Sequence, residues 1–271
     1  MNVMRMLRQP VAALVAGLVV AMAMGGCSSG PKDESVGWSP EKLYAEAKSE
    51  AAAGNYDRAA KLYERLEGRA AGTVLAQQAQ LDHAYVLYKS GEKAQALATI
   101  ERFIKLQPTS RALDYAIYLQ GVINFNDDLG LLGNLSRQDL SERDQQAARD
   151  SFQSFRQLVD QFPASTYAPD ARLRMNYIVN TLASYEVHVA RYYFRRGAYV
   201  AAANRAQQTV QEFQQSPSAE EALYIMAQSY DRLGLSDLRD DAQRVLRQNF
   251  PQSTLQAVGG YAKPKAWWQL W

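Results

Sequence analysis

Residues able to do covalent or acid–base chemistry are few in this chain. Its 271 residues include one Cys, Cys27, and two His, His83 and His188. One Cys forms no intrachain disulfide and no cysteine-based zinc site. Two His leave a thin basis for a metal centre or a Ser-His-Asp triad. The sequence holds no Gly-x-x-x-x-Gly-Lys phosphate loop, no Gly-x-Ser-x-Gly elbow and no His-Glu-x-x-His pair. Both His fall inside helical patterns and read as packed or surface side chains. Asp127-Asp128 are adjacent acids in a polar stretch and read as solvated. Glu220-Glu221 follow Ser218 at a helix start, where negative charge suits the helix dipole. The expectation is a protein that is not an enzyme and has no metal and no dissociable cofactor. Lys and Arg total 30 against 28 Asp and Glu. That balance excludes a protein whose main task is gripping nucleic acid, since neutralising phosphates needs a basic surface.

The one thiol has a telling position. Arg5 and Arg8 precede an uncharged apolar run over residues 11–24, and Gly25-Gly26-Cys27 follows directly. The run is shorter than the roughly 20 residues needed to cross a bilayer and has the length of a signal-peptide core. The arrangement resembles a bacterial lipobox, with Met24 where Leu is commoner. It implies removal of residues 1–26, an S-diacylglycerol and an N-acyl chain on Cys27, and a tether over residues 27–39. Ser28, rather than Asp, after the Cys favours passage to the outer membrane, with the folded part in the periplasm.

What must carry any function is the rest of the chain, and its pattern is helical. Apolar residues recur at three and four, Ala, Leu, Gln, Glu, Arg and Tyr dominate, and long β-branched runs are missing. Gly54-Asn55-Tyr56-Asp57-Arg58-Ala59 has the form of a tetratricopeptide turn. Gly91-Glu92-Lys93-Ala94-Gln95-Ala96 and Gly197-Ala198-Tyr199-Val200-Ala201-Ala202 repeat it, and Gly234 follows Gly197 at the same 37-residue spacing that separates Gly54 from Gly91. Gly ends a first helix in the left-handed conformation, and a small residue on that helix lets its partner approach. Ala47, Ala84, Gly121, Ala190 and Ala227 fill that position. Tyr63/Leu66, Ile100/Phe103, Phe152/Phe155 and Val245/Leu246 are the large residues of second helices. Gln107-Pro108, Phe162-Pro163, Ser216-Pro217 and Phe250-Pro251 read as their stops.

The predicted fold is all-α, a right-handed solenoid of about five tetratricopeptide repeats over residues 40–72, 77–110, 114–165, 167–217 and 219–253. By organisation, residues 40–110 form the first two repeats, 111–165 the third, 166–253 the last two, and 254–271 a Trp-rich tail. The third repeat carries an inserted polar loop around residues 126–143. The first helix of the fourth starts at Ala168-Pro169-Asp170 and runs to Arg196, long enough to brace two halves of the solenoid.

Such a solenoid lines one face with its first helices. In register, these supply Tyr44, then Leu81, Tyr85, Tyr88 and Lys89, then Tyr115, Tyr118, Val122 and Phe125. An aromatic groove with a cation at its side suits an extended peptide that bears aromatic side chains and a carboxylate. At the other end Arg195, Arg196 and Arg205 gather near the repeat-four turn, where guanidinium groups suit carboxylates of a partner. The tail, with Trp267, Trp268 and Trp271, either packs on the last repeat or meets a lipid interface.

The lipobox, the repeats, the third-repeat loop and two strings together resemble one family. The strings are Gln161-Phe162-Pro163-Ala164-Ser165-Thr166-Tyr167-Ala168-Pro169-Asp170-Ala171 and Tyr185-Glu186-Val187-His188-Val189-Ala190-Arg191-Tyr192-Tyr193, continuing through Arg196-Gly197-Ala198-Tyr199 to Asn204-Arg205. They are similar to the BamD (ComL/YfiO) family of lipoproteins of the outer-membrane β-barrel assembly machine. The resemblance implies a periplasmic scaffold whose groove meets nascent barrel proteins through carboxy-terminal aromatic signals. It also implies that the last repeats dock the POTRA domain of the barrel subunit BamA, with Arg196 and Arg205 on the contact side, beside other assembly lipoproteins. Two other classes stay open at this point: a tetratricopeptide lipoprotein that scaffolds cell-wall or division enzymes, and a solenoid lytic enzyme, for which five repeats leave no catalytic domain.

Overall fold

The computed structural model describes residues 35–125 and 142–256. Among the described residues there are ten α-helices and no strand, followed by a short 3-10 turn at Thr254–Gln256. The helices are α1 (Pro40–Ala52), α2 (Tyr56–Arg69), α3 (Val74–Lys89), α4 (Lys93–Leu106), α5 (Leu113–Asn124), α6 (Glu142–Gln161), α7 (Ala168–Arg195), α8 (Tyr199–Glu212), α9 (Ser218–Arg232) and α10 (Ser236–Asn249). Each packs chiefly on its neighbours in sequence, so the chain is a stack of five helix-turn-helix units. The fold is an all-α tetratricopeptide-type solenoid.

Two local devices recur and set its geometry. Four first helices end on a glycine in the left-handed region: Gly54, Gly91, Gly197 and Gly234, with φ of 82°, 90°, 77° and 73°. After each, the next N–H reaches back five residues, as in Asn55 N–H to Glu50 O and Leu235 N–H to Tyr230 O, both 2.9 Å. A side chain on any of these glycines would strain the turn. The second device joins one repeat to the next. At Ser110, Ser165, Ser216 and Ser253 the N–H bonds the carbonyl three residues earlier, and the hydroxyl accepts from the N–H two residues later. These hydroxyl turns launch the next helix.

The second device corrects one sequence expectation. Ser216-Pro217 does not stop α8, which ends at Glu212 with Phe213 as its cap; Pro217 caps the start of α9. The polar stretch ascribed to the inserted loop also ends sooner, because Glu142 and Arg143 already belong to α6.

Between paired helices the small residues lie where the register puts them. Ala47, Ala84 and Ala190 are fully buried, as are Tyr63, Phe103 and Phe155 opposite such positions. Gly121 is the tightest case: a Cβ there would stand 2.5 Å from the Phe155 ring. Ser151 on α6 uses that closeness to donate to the Gly121 carbonyl at 2.8 Å. Each fully buried large side chain contributes about 1.5–3 kcal/mol.

Helix α7 has 28 residues, about 42 Å at 1.5 Å per residue. Ala171, Ile178 and Leu182 pack in a core with Ile117 and Phe155, while Val187 and Ala190 join a second core with Ala202 and Ile225. One helix thus links the middle and the last repeats. At the other end, the last residues assigned to the tether are docked on the fold. Ser35 is buried, Arg65 donates to its hydroxyl at 2.9 Å, and Arg69 donates to the carbonyls of Ser35 and Trp38, both at 3.0 Å.

Candidate functional site: an aromatic face and an arginine cleft

The first helices α1, α3 and α5 lie side by side and carry the residues predicted to line a groove. Their half-buried Tyr side chains pack over the cores rather than inside them, and two of the phenols, Tyr44 and Tyr118, reach acidic partners. Tyr44 Oη donates to Asp82 Oδ2 at 2.9 Å, and Gln78 Nε2 donates to Asp82 Oδ1 at 3.2 Å. Burial, then the Asp82 bond and charge, push the Tyr44 phenol up to about 12. Burial and the charge of Asp82 likewise push Tyr115 up to about 12. The Asp82 carboxyl is itself raised, by burial, against the lowering effect of its two hydrogen bonds and of Lys48.

A second Tyr-to-Asp bridge crosses from the third repeat to the fourth. Tyr118 Oη donates to Asp170 Oδ2 at 2.7 Å, and Arg174 Nε donates to the same oxygen at 2.6 Å. Burial pushes the Asp170 carboxyl up, but Tyr118 and Arg174 together outweigh it and hold it below its ordinary value. Aromatic rings continue around this bridge. Tyr118 stacks on Tyr167 at 4.8 Å between centroids, Tyr115 meets the same ring at 5.4 Å, and Phe125 lies 5.7 Å from Tyr177. The Arg174 guanidinium sits 4.7 Å above the Phe125 ring.

The predicted groove residues therefore divide. Tyr85 is 42% exposed, Tyr44, Tyr88 and Tyr115 are half-buried, and Lys89 is exposed. Leu81 is a correction: at 1% exposed it belongs to the core between α3 and its neighbours and lines no surface. Tyr118, Val122 and Phe125 are half-buried and packed against the middle core, where they tie repeat three to repeat four. The reason is α7, whose first turns cover the far end of the face. Sequence reasoning missed Asp82, Tyr167 and Arg174. Only Tyr167 and Asp170 stood within a quoted string, and a lone acid such as Asp82 carries no spacing that marks it.

At the carboxy-terminal end the three predicted arginines have different surroundings. Arg205 Nη1 donates to Glu186 Oε2 at 3.1 Å, and Glu186 is buried beneath it. Arg196 caps α7 and lies 5.7 Å from the Tyr192 ring, and Arg195 is exposed. Tyr193, Ala201, Asn204, Arg205 and Gln208 line an open cleft of about 250 Å³ between α7 and α8. Arg191, which was not singled out, donates to Glu221 Oε1 at 2.8 Å and links α7 to α9. Glu221 therefore does more than suit a helix start.

His83 Nδ1 pairs with Glu67 Oε1 at 2.7 Å, and Arg102 Nη2 donates to the other oxygen at 3.0 Å, so Glu67 joins α2 to α3 and α4. His188 is exposed on α7. No group of three metal-ligating side chains gathers among the described residues, and none of their helices is long and apolar enough to cross a membrane. Cys27, Asp127-Asp128, most of the inserted loop and the three tail Trp residues lie outside the described residues.

Paired helices with glycine turns and an aromatic face on the first helices define a tetratricopeptide-type scaffold with two candidate contact surfaces. A family model described as an outer membrane lipoprotein, YfiO, matches residues 38–246. The chain is 47% identical over 234 residues to the outer membrane protein assembly factor BamD of Neisseria meningitidis serogroup A, covering 86% of this chain and 88% of that one. It is 33% identical over 235 residues to the protein of the same name in Vibrio cholerae, covering 87% and 97%. Among solved structures it is similar to a thermophilic tetratricopeptide protein of Thermus thermophilus, at 14% identity and a TM-score of 0.38 over 81% of this chain and 96% of that one. The chain belongs to the YfiO/BamD family of outer membrane lipoproteins.

Proposed function

We propose that this protein is a non-enzymatic scaffold for the assembly of outer-membrane β-barrel proteins, held at the periplasmic face of the outer membrane by lipid on Cys27. The relatives' names, outer membrane protein assembly factor, supply the process. The observation that carries the mechanism is the face built by α1, α3 and α5. Tyr85 projects from it, half-buried Tyr44, Tyr88 and Tyr115 surround it, and Lys89 stands at its side. Aromatic walls recognise aromatic side chains with little loss of side-chain freedom, and a lysine at the rim takes a terminal carboxylate. A nascent barrel protein that ends in an aromatic residue offers both.

The test uses the full-length chain and a labelled peptide ending in an aromatic residue. Tyr85→Ala lowers affinity about fivefold or more, in line with loss of a central aromatic contact. Unchanged affinity rejects the groove. Tyr118→Ala is not a useful partner variant, because it breaks the bridge to Asp170.

The POTRA domain of the barrel subunit is proposed to dock on the cleft lined by Tyr193, Asn204, Arg205 and Gln208, with exposed Arg196 three residues on from Tyr193. Arg205 also neutralises buried Glu186, so reversing its charge would unsettle the fold. Arg196 has no such burden. Arg196→Glu is expected to reduce co-purification with the POTRA partner while helicity stays unchanged; intact complexes would count against this surface.

A further inference from the structure

Two Tyr-to-Asp bridges cross neighbouring first helices, and they differ in one respect. Asp170 receives Tyr118 and also has Arg174 one turn along its own helix, at 2.6 Å. Asp82 receives Tyr44 and the neutral Gln78, and the position one turn along, Val86, is a buried core residue. Among the described residues no cation lies within ion-pair distance of Asp82. Lys48 is near enough to lower its carboxyl slightly, yet its ammonium lies over the Tyr44 ring, 5.8 Å from the centroid. Asp82 is therefore a half-buried carboxylate with no cation at ion-pair distance, in the middle of the aromatic face.

A carboxylate accepts up to about four hydrogen bonds, and Asp82 uses two. A charge removed from water without a partner costs stability, and it is retained where something else supplies the opposite charge. Aromatic walls around it favour a cation as well, through their ring faces. We infer that Asp82 is a specificity-determining residue of the groove, and that it selects peptides carrying a Lys or Arg side chain close to the aromatic residue. The ligand cation takes the place at Asp82 that Arg174 takes at Asp170. The inference rests on the proposal that this face binds aromatic peptides, and it adds the charge of the ligand.

Three labelled peptides test it. They end in the same aromatic residue and differ at one upstream position, which is Lys, Gln or Glu. With the full-length wild-type chain, the Lys peptide binds about fivefold tighter than the Gln peptide, and the Glu peptide binds weakest. Asp82→Asn, which keeps an acceptor for Tyr44, binds all three alike. Asp82→Lys reverses the order, and circular dichroism confirms that both variants are folded. Equal binding of the three peptides to wild type overturns the inference and leaves the aromatic groove standing. A preference for Lys that survives Asp82→Asn also overturns it. If wild type binds none of the three, the groove reading fails and this inference fails with it.

Discussion

Asp82 and Asp170 accept the same kind of bond from a tyrosine and are held in opposite charge balance. Asp170 lies below its ordinary value because Tyr118 and Arg174 outweigh its burial. Its ionised form stabilises the fold above the unfolded carboxylate pKa, and that contribution is lost as pH falls through the lower folded value. Asp82 is raised by burial, so its ionised form costs stability at neutral pH, and the cost disappears as pH falls through its raised value. Thermal melts of the two Asn variants should therefore move in opposite directions. At pH 7 Asp170→Asn melts lower, by about 1 kcal/mol after discounting for its exposure, and Asp82→Asn melts higher. The Asp82 difference shrinks as the solution is acidified to the ordinary carboxylate range at about pH 4, and the Asp170 difference shrinks at lower pH, through its depressed value. Equal shifts in one direction would show that the Arg174 contrast does not govern these sites. None of this was legible in the sequence. The spacing from tyrosine to acid is 38 residues in one bridge and 52 in the other, because the third repeat is longer. Without a fixed interval, the eye finds the tyrosines and passes over their partners.

At the scale of helices, the periodic features were the readable ones. Glycine turns, small residues opposite large ones and the long α7 all follow from short-range rules, and the structure has them at Gly54, Gly91, Gly197 and Gly234, at Ala84 and Ala190, and at Ala168–Arg195. The Pro stops agree with helix ends at Leu106, Gln161 and Asn249 and fail only at Ser216-Pro217, while the serines of the junctions went unread. The junctions are made by hydroxyls at Ser110, Ser165, Ser216 and Ser253, which any surface serine resembles in sequence. Leu81 was misplaced for a related reason. One face of a first helix meets both its partner and the next repeat, and a single apolar residue does not reveal which side it takes. Helix packing supplies a sharp test at Gly121. Adding one methyl there drives it into the Phe155 ring, so Gly121→Ala should destabilise the protein by about 1–3 kcal/mol. A chemical melt reads this directly. A variant as stable as wild type would mean that α5 and α6 separate at little cost, contrary to the packing described.

Across the whole molecule, repeats that contact only their neighbours spread several sites along one stack. Repeats one to three present the aromatic face with Asp82 at its centre, and repeat four presents the arginine cleft. Helix α7 joins the middle core, on which Tyr118 and Phe125 pack, to the core beneath the cleft, and the Tyr118–Asp170 bridge fastens its first turn to α5. Under the function proposed above, this brace ties the peptide-binding face to the partner-binding cleft. The most direct test of the central claim is to deplete this protein and quantify folded trimeric porin in the outer membrane by its heat-modifiable gel mobility. The account predicts that folded porin collapses and that wild-type protein restores it. Normal levels of folded porin after depletion would contradict it.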